Sequence, residues 1–250
     1  MNDNGGTRIA VIEMGRPRGK VKSSHGSFGN WFCEAFRQAA PMAEVFLLPV
    51  EATALDMREA SGIVLSGAYE GVYDDLPWRS RFDAEMRLVV ESGVPVLGVC
   101  FGHQYLTELL GGTVEKRPEK EEIGWYELEL TDAGRDDELF VGIAHRFGAL
   151  ETHIDMVVEP AAGAIVLARS DEAPVQAFRS GRNVWGVQFH PEMSAGILGS
   201  VLEEEILEAR AACDGGREAL LEGKKDRVGR PHAGLRVLGN FARICSGRFV

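Results

Sequence analysis

The chain has 250 residues, of which 45% are apolar and 26% charged, and its formal net charge at pH 7 is −11. This length is sufficient for one large α/β domain with a sizeable core. The excess of negative charge argues against nucleic acid or an anionic membrane surface as the main partner.

Strands and helices are predicted to alternate along most of the chain. Strands are predicted at residues 8–13, 45–48, 63–65, 94–97, 125–130, 164–168, 175–178 and 184–189. Helices are predicted from Trp31 and Tyr105, and another is indicated by Phe82, Met86, Val89 and Val90, which share one helical face. This alternation predicts an α/β fold with a mostly parallel central sheet flanked by helices.

The chain after Met193 is predicted to add helices rather than a second domain. Residues 202–212 and 232–244 have helical periodicity, and a charged stretch separates them. We therefore expect one domain over the whole chain, with its core at residues 8–193 and a C-terminal helical extension at residues 194–250, closing over the edge of the sheet.

The segment 15–29 is rich in glycine, serine and basic residues. It is long enough to form a flap near a functional site. The same composition is equally consistent with a mobile surface loop.

The cysteines and the amino terminus favour a reducing compartment. Cys33, Cys100, Cys213 and Cys245 have unrelated spacings, which is not the pattern of a disulfide framework. Residues 1–6 lack the pattern of a secretory signal, and no apolar run approaches membrane length. We therefore expect a cytoplasmic protein, in which a catalytic thiol stays reduced.

A candidate nucleophile lies in the sequence Gly98-Val99-Cys100-Phe101-Gly102, between a predicted strand and a predicted helix. Gly-x-Cys-x-Gly at such a turn is the thiol version of a nucleophile elbow. The glycines permit a sharp turn and a close backbone approach, so Cys100 projects from the strand end. The N-terminus of the following helix favours the thiolate. The alternative is a cysteine that packs as a small apolar side chain.

A candidate base follows the last predicted strand, in the sequence His190-Pro191-Glu192. Residues two apart in an extended segment point to the same side, so Glu192 can hold one ring nitrogen of His190 while the other faces the sulfur. A strand-end histidine beside an incidental surface glutamate is the alternative. Cys100 at another strand end favours the catalytic interpretation, because carboxyl ends of parallel strands meet at one edge of a sheet.

The motifs at residues 98–104 and 188–192 resemble the two signatures of class I (triad-type) glutamine amidotransferases. The order and spacing match over residues 8–193, and segments 72–78 and 124–126 are most similar to free-standing members related to the glutaminase part of GMP synthase. The resemblance implies a flavodoxin-like α/β domain. It also implies hydrolysis of the glutamine side-chain amide by Cys100, His190 and Glu192, through a γ-glutamyl thioester and without a cofactor.

The resemblance further implies an oxyanion hole and a substrate pocket. The Ser66–Tyr69 segment falls where the family has Ser-Gly-Gly-Pro, so the backbone N–H groups of Ala68 and Phe101 are expected to hold the oxyanion. The segment 152–155 falls where the family has a Ser-His-x-Asp loop. The substrate-binding residues that the resemblance implies are Gly67, Glu70, Gln104, Thr152, His153, Ile154 and Asp155.

Two residues depart from the family pattern in the oxyanion loop. Ala68 replaces a glycine, and alanine would be strained if the loop required a positive φ there. Tyr69 replaces a proline, and its ring would narrow the pocket or stack on a substrate larger than glutamine.

Three functions from different classes stay open at this point. The first is a glutaminase that supplies ammonia to a separate synthetase, since no glycine-rich ATP-binding loop is recognised in the sequence. The second is a free-standing γ-glutamyl hydrolase or peptidase. The third is a non-enzymatic or metal-binding module that uses His190, Glu192, His153 and Asp155, but the family positions of these residues argue against it and we expect no metal.

Overall fold

The computed structural model describes residues 6–247, which contain eleven strands and nine α-helices. The strands are β1 (Arg8–Glu13), β2 (Glu44–Pro49), β3 (Gly62–Leu65), β4 (Val96–Val99), β5 (Thr113–Lys116), β6 (Glu122–Leu130), β7 (Arg146–His153), β8 (Asp155–Glu159), β9 (Ile165–Arg169), β10 (Ala177–Ser180) and β11 (Val184–Val187). The helices are α1 (Gly19–His25), α2 (Phe28–Ala39), α3 (Ala54–Met57), α4 (Arg79–Ser92), α5 (Phe101–Leu109), α6 (Asp132–Arg135), α7 (Ala195–Ala211), α8 (Gly215–Glu222) and α9 (Gly234–Cys245). Residues 1–5, which carry most of the segment considered for a signal sequence, lie outside this range.

The central sheet has nine strands in the order β2-β1-β3-β4-β11-β10-β9-β6-β7. Strands β2 to β11 in this order are parallel, and the strands beyond β11 pair in antiparallel fashion. β5 and β8 form a separate antiparallel pair. The predicted α/β class with C-terminal helices is confirmed, and the antiparallel half of the sheet was not predicted.

Helices cover both faces of the parallel half, because its strands are apolar on both sides. In β1, Ile9 and Val11 face the layer that contains α2 and α9. Ala10 and Ile12 face the layer that contains α4 and α5. The extension therefore contributes to a face of the sheet through α9, and not only to its edge.

The segment 15–29 contains α1 and the first residues of α2. α1 packs on α7, with Val21 fully buried and its N–H donating to Oε1 of Glu204 at 2.8 Å. Lys20 forms an ion pair with Glu203 at 2.8 Å. The amino-terminal segment is thereby attached to the helix that follows the candidate triad.

Several boundaries differ from prediction: β6 begins at Glu122 instead of residue 125, β10 spans Ala177–Ser180 instead of 175–178, and β11 ends at Val187 instead of residue 189. Strands β5, β7 and β8 were not predicted. β4 begins at Val96 instead of Val94, because Pro95 has no N–H to donate to the ladder, and the carbonyl of Val94 accepts from the side chain of Asn183 instead. The predicted loop at residues 152–155 is reduced to Ile154, since β7 ends at His153 and β8 begins at Asp155. Within residues 6–247, no helix is both long and apolar enough to cross a membrane.

Candidate active site

Cys100 occupies a strained turn between β4 and α5. Its φ is +51° and its ψ is −105°, a conformation that non-glycine residues rarely adopt. Gly102 lies in the first turn of α5, where a Cβ atom would collide with the backbone of Leu65 at the end of β3. The absence of a side chain at Gly102 allows α5 to start directly against the neighbouring strand. The thiol therefore stands at the carboxyl edge of the sheet, as in a nucleophile elbow.

His190 reaches the same edge from the adjacent strand. β4 and β11 are parallel neighbours, with Val99 opposite Val187, so the residues that follow them emerge side by side. The backbone N–H of His190 donates to the carbonyl of Leu150 at 2.8 Å, which fixes the chain beyond β11 against β7. Sequence-distant elements thus bring His190 to Cys100.

Glu192 orients the imidazole of His190. Nδ1 of His190 and Oε1 of Glu192 are 2.8 Å apart, and both side chains are buried. Burial opposes a charge on the ring, yet the negative charges of Glu192 and of a Cys100 thiolate raise the pKa of His190 well above its usual value. A thiolate–imidazolium pair is the ionic state that a cysteine nucleophile requires.

The segment expected to form the oxyanion loop, residues 66–69, lies against both Cys100 and His190. A Cβ atom on Gly67 would lie 3.3 Å from Cε1 of His190 and 3.8 Å from Cβ of Cys100, so the loop backbone contacts the candidate triad directly. In the part of the chain that the structure describes, the N–H of Ala68 donates to no acceptor. The N–H of Phe101 is in the first turn of α5, where it has no intrahelical acceptor.

The two departures from the family pattern have different consequences. Ala68 does not have a positive φ, so the strain considered for alanine at this position does not arise. Tyr69 is about half exposed, at 47%, and its ring centroid lies 6.2 Å from that of Phe28. The guanidinium of Arg18 lies 5.0 Å from the centre of the same tyrosine ring. Tyr69 therefore lines the cavity beside Phe28, and whether it narrows the pocket or stacks on a substrate stays a prediction.

A cavity of about 270 Å³ opens at Cys100 and His190. It is lined by the predicted residues Gly67, Ala68, Glu70, Gln104, Thr152, His153, Ile154 and Asp155. Glu192, which contacts Nδ1 of His190, and Phe101 do not line the cavity. The structure thus brings together the residues singled out in the sequence, and their roles stay predictions.

Several lining residues were not predicted from the sequence. Phe28 and Trp31 of α2 pack edge to face at 5.0 Å and line the cavity, and Met193 and Val201, which belong to the same apolar cluster, line it as well. No sequence pattern assigns them to the site, because their position depends on the packing of α1 and α2 against α7.

The segment that joins β7 to β8 is held by side chains around the cavity. Oγ1 of Thr152 lies 3.0 Å from Nε2 of His190. The hydroxyl of Tyr73 donates to the carboxylate of Asp155 at 2.9 Å, and burial together with this carboxylate raises the pKa of Tyr73 to about 12. Gln104 donates its Nε2 to the backbone carbonyl of Asp155, also at 2.9 Å. The amide of Gln104 therefore supports the segment.

The imidazole of His153 is buried beneath the cavity, between Glu122 and Glu151. Its Nε2 lies 3.0 Å from Oε2 of Glu122 and 3.3 Å from Oε2 of Glu151. These three side chains are at most 1% exposed. His153 thus contributes its backbone, rather than its ring, to the cavity.

The side chain of Arg217 connects two acidic residues at the rim of the cavity. Nη2 of Arg217 lies 2.9 Å from Oε1 of Glu121 and 2.6 Å from Oε2 of Glu205, and so connects α8 to both carboxylates. Burial raises the pKa of Glu205 in spite of this pairing. Within residues 6–247, no group of three or more His, Cys, Asp or Glu side chains has an arrangement suited to a metal ion.

The fold and the strand-end thiol are of the glutamine amidotransferase type, and comparison with known proteins gives the family. The class-I glutamine amidotransferase model matches residues 21–209, so the chain belongs to the class I glutamine amidotransferase family. The family resemblance found in the sequence is thereby confirmed.

The chain is similar to the glutaminase portions of GMP synthases. A glutamine-hydrolysing GMP synthase of Aeropyrum pernix is 37% identical over 173 residues, which cover 67% of this chain and 31% of that protein. The chain therefore spans about a third of that relative. A glutamine-hydrolysing GMP synthase subunit of Methanopyrus kandleri is 33% identical over 177 residues, which cover 69% of this chain and 88% of the relative.

A solved structure confirms the fold. A glutamine amidotransferase from Thermotoga maritima superposes with a TM-score of 0.71 over 96% of this chain and 97% of its own, at 22% identity. At this identity the likeness concerns the architecture alone.

Proposed function

We propose that this chain hydrolyses the side-chain amide of glutamine and releases glutamate and ammonia. The observation that carries the proposal is the placement of Cys100, in a strained turn, against His190, whose other nitrogen is held by Glu192 at 2.8 Å. A nucleophile, a base and an orienting carboxylate in this order are what acyl transfer requires.

The proposed reaction proceeds through a thioester. The Cys100 thiolate attacks the amide carbon, and the C–N bond breaks as His190 gives its proton to the departing ammonia. Water then attacks the γ-glutamyl thioester while His190 takes its proton, and the C–S bond breaks to release glutamate and the thiolate. The N–H groups of Ala68 and Phe101 would stabilise the oxyanion in both steps, at about 2.7–4 kcal/mol for each donor.

The substrate-binding part of the proposal uses the lining of the cavity. The carboxylates of Glu70 and Asp155 would face the α-amino group of the substrate, and the backbone of residues 152–154 would face its carboxylate. Both acids line the cavity, where Glu70 is paired with Arg18 at 3.2 Å.

A second candidate is a γ-glutamyl hydrolase that acts on larger amides. The aromatic wall of Phe28, Trp31 and Tyr69 favours it, because aromatic side chains can pack on an amide substituent bulkier than hydrogen. The relatives support a glutaminase that serves a synthetase partner. One is a glutamine-hydrolysing GMP synthase, and another is a separate subunit of a glutamine-hydrolysing GMP synthase.

Release of ammonia and glutamate by the purified chain tests the proposal. Glutamine and a γ-glutamyl anilide are supplied separately, with Cys100→Ala as the control. We expect hydrolysis that is lost in Cys100→Ala, and equal release from both proteins would contradict the assignment. If Tyr69 recognises an amide substituent, Tyr69→Ala should lower kcat/KM for the anilide more than for glutamine.

A further inference from the structure

The buried side chains below the cavity follow from the alternation of β7. Residues two apart on a strand point to the same face, so Glu151 and His153 point inward while Thr152 points to His190. In the antiparallel pairing with β6, Glu122 stands directly opposite His153. One strand end thus presents one face to the candidate triad and the other to a closed ionic cluster of Glu122, Glu151 and His153.

The contacts of the two ring nitrogens indicate the charge of His153. Its Nδ1 lies 3.1 Å from the carbonyl oxygen of Asp155, which can only accept, so Nδ1 carries a proton. Its Nε2 lies 3.0 Å from Oε2 of Glu122 and 3.3 Å from Oε2 of Glu151, as in an ion pair with two carboxylates rather than a well-aligned hydrogen bond. Oε2 of Glu122 also accepts from Nε2 of Gln176 at 2.7 Å. Two carboxylate oxygens beside one ring nitrogen favour a proton on it, so His153 is expected to be an imidazolium.

The net charge of the cluster of Glu122, Glu151 and His153 favours a further proton, which would sit on Glu151. Two carboxylates and one imidazolium would give a net negative charge without water contact, which is unfavourable. Burial raises the pKa of Glu151 to about 7, whereas Glu122 and Glu151 raise that of His153 to about 10 against the effect of burial.

The groups that face the cluster from neighbouring elements are Gln176, His103, Tyr126, His190, Lys224 and Glu121. Burial and the charge of His153 lower the pKa of His103 to about 3, so His103 is neutral. Tyr126 is neutral as well, because burial and Glu122 raise its pKa to about 12. The nearest charge compensation for Glu122 is therefore the ring of His153.

We infer that Glu122, Glu151 and His153 form a buried ionic cluster that positions Thr152 and Asp155 in the active site. The cluster contacts the substrate segment through His153. Both Nδ1 of His153 and Nε2 of Gln104 donate to the backbone carbonyl of Asp155. Thr152 lies between two members of the cluster in the chain, and its hydroxyl contacts His190. We describe the three cluster residues, Glu122, Glu151 and His153, as positioning residues. Their effect on substrate binding rests on the proposed function.

The protonation of His153 is tested first, on the unmodified chain. Nitrogen-15 NMR of the ring nitrogens, with the His153 signals assigned from their loss in His153→Gln, is recorded at about pH 8, where an ordinary histidine is neutral. We expect His153 to be an imidazolium there. A neutral ring would overturn the inference, whatever the chain catalyses.

The positioning role is tested with Glu122→Gln. Asp137→Asn is the matched control, because Asp137 is also a buried carboxylate in an ion pair, with Arg179 at 2.8 Å. We expect Glu122→Gln to shift the amide resonances of Thr152, Ile154 and Asp155, and Asp137→Asn to leave them in place. Equal effects of both variants on these amides would overturn the inference.

Alkylation of Cys100 by 6-diazo-5-oxo-L-norleucine separates binding from chemistry. Glu122→Gln should raise the half-saturating concentration of this glutamine analogue about tenfold and lower the limiting rate by less than loss of the Thr152 hydroxyl would, because the hydroxyl is displaced and not removed. Asp137→Asn should change neither. A change in the limiting rate alone would contradict positioning of the substrate segment. Failure of the unmodified chain to be alkylated would count against the proposed function, while the NMR results still decide the role of the cluster.

Discussion

The hydroxyl oxygen of Thr152 lies 3.0 Å from Nε2 of His190. This is the ring nitrogen that faces away from Glu192, and in the proposed reaction it exchanges a proton with Cys100. The hydroxyl can donate to the neutral ring and accept from the charged ring, so it can hold the imidazole in both protonation states.

Thr152→Val should therefore slow the reaction of Cys100, because it removes the hydroxyl and keeps the shape of the side chain. We expect the limiting rate of alkylation by 6-diazo-5-oxo-L-norleucine to fall about tenfold, as for a hydrogen bond worth about 1.5 kcal/mol. Thr152→Ser is the control and should retain most of the rate. Identical rates in the two variants would show that the hydroxyl has no role.

Selective labelling should identify the nucleophile. We expect the same diazoketone to modify Cys100 and leave Cys33, Cys213 and Cys245 unmodified, as measured by mass spectrometry of peptides. Burial raises the pKa of Cys33 and Cys245, which keeps both thiols protonated. Cys213 is exposed and is the informative control, since iodoacetamide should label it readily. Loss of activity with Cys100 unmodified would refute the assignment.

The proposed base and its orienting group should differ in the size of their effects. His190→Ala removes the proton carrier and should lower kcat by about 10²–10⁴-fold. Glu192→Gln keeps a hydrogen-bond acceptor but removes the charge that raises the pKa of His190, so it should lower kcat less and move the pH profile. Steady-state rates across a pH series measure both effects. Near-normal kinetics in His190→Ala would require another base.

Gly67→Ala should impair the site without unfolding the chain. The added methyl group would lie 3.3 Å from Cε1 of His190, so the ring or the loop must shift. Gly196→Ala is a suitable control, because the nearest atom to a Cβ there is Oγ of Ser194 at 3.8 Å. We expect Gly67→Ala to slow alkylation of Cys100 and both variants to keep a similar Tm. Unchanged alkylation in Gly67→Ala would mean that the loop can move away from the triad.

Protonation of Glu151 should appear in the pH dependence of stability. Burial raises the pKa of this carboxyl from 4.5 to about 7, so between these values the folded chain holds a proton that the unfolded chain has lost. This group therefore makes the folded state less stable as the pH rises through that range.

Glu151→Gln removes this titration, so its free energy of unfolding should fall less, or rise more, than that of the unmodified chain between about pH 5 and pH 6.5. Urea unfolding of both proteins at the two pH values provides the measurement, and histidine titration that the two proteins share cancels in the comparison. Parallel pH dependences in the two proteins would contradict a protonated Glu151.

Local motifs allowed much of the site to be predicted from the sequence. Cys100 and His190 each follow an apolar strand, and parallel strands end at one edge of a sheet, so their meeting could be expected. The ionic partners of His153 could not be expected, because Glu122 lies opposite it only through the register of β6 and β7. The place of Phe28 in the cavity could not be predicted either, because it depends on the packing of α1 and α2 against helices that are far away in the sequence. The catalytic roles stay predictions.

The attachment of α1 to α7 supports the aromatic side of the cavity independently of Cys100, His190 and Glu192. A chain shortened before Ala195 would keep the thiol, the imidazole and the carboxylate, but it would lose α7 and with it the support for α1 through Glu203 and Glu204. Phe28 and Trp31 would also lose their apolar contacts with α7, because these two rings share one core cluster with Ile197, Leu198 and Leu202. Substitutions in α7 should therefore reshape this side of the cavity while Cys100, His190 and Glu192 stay unchanged.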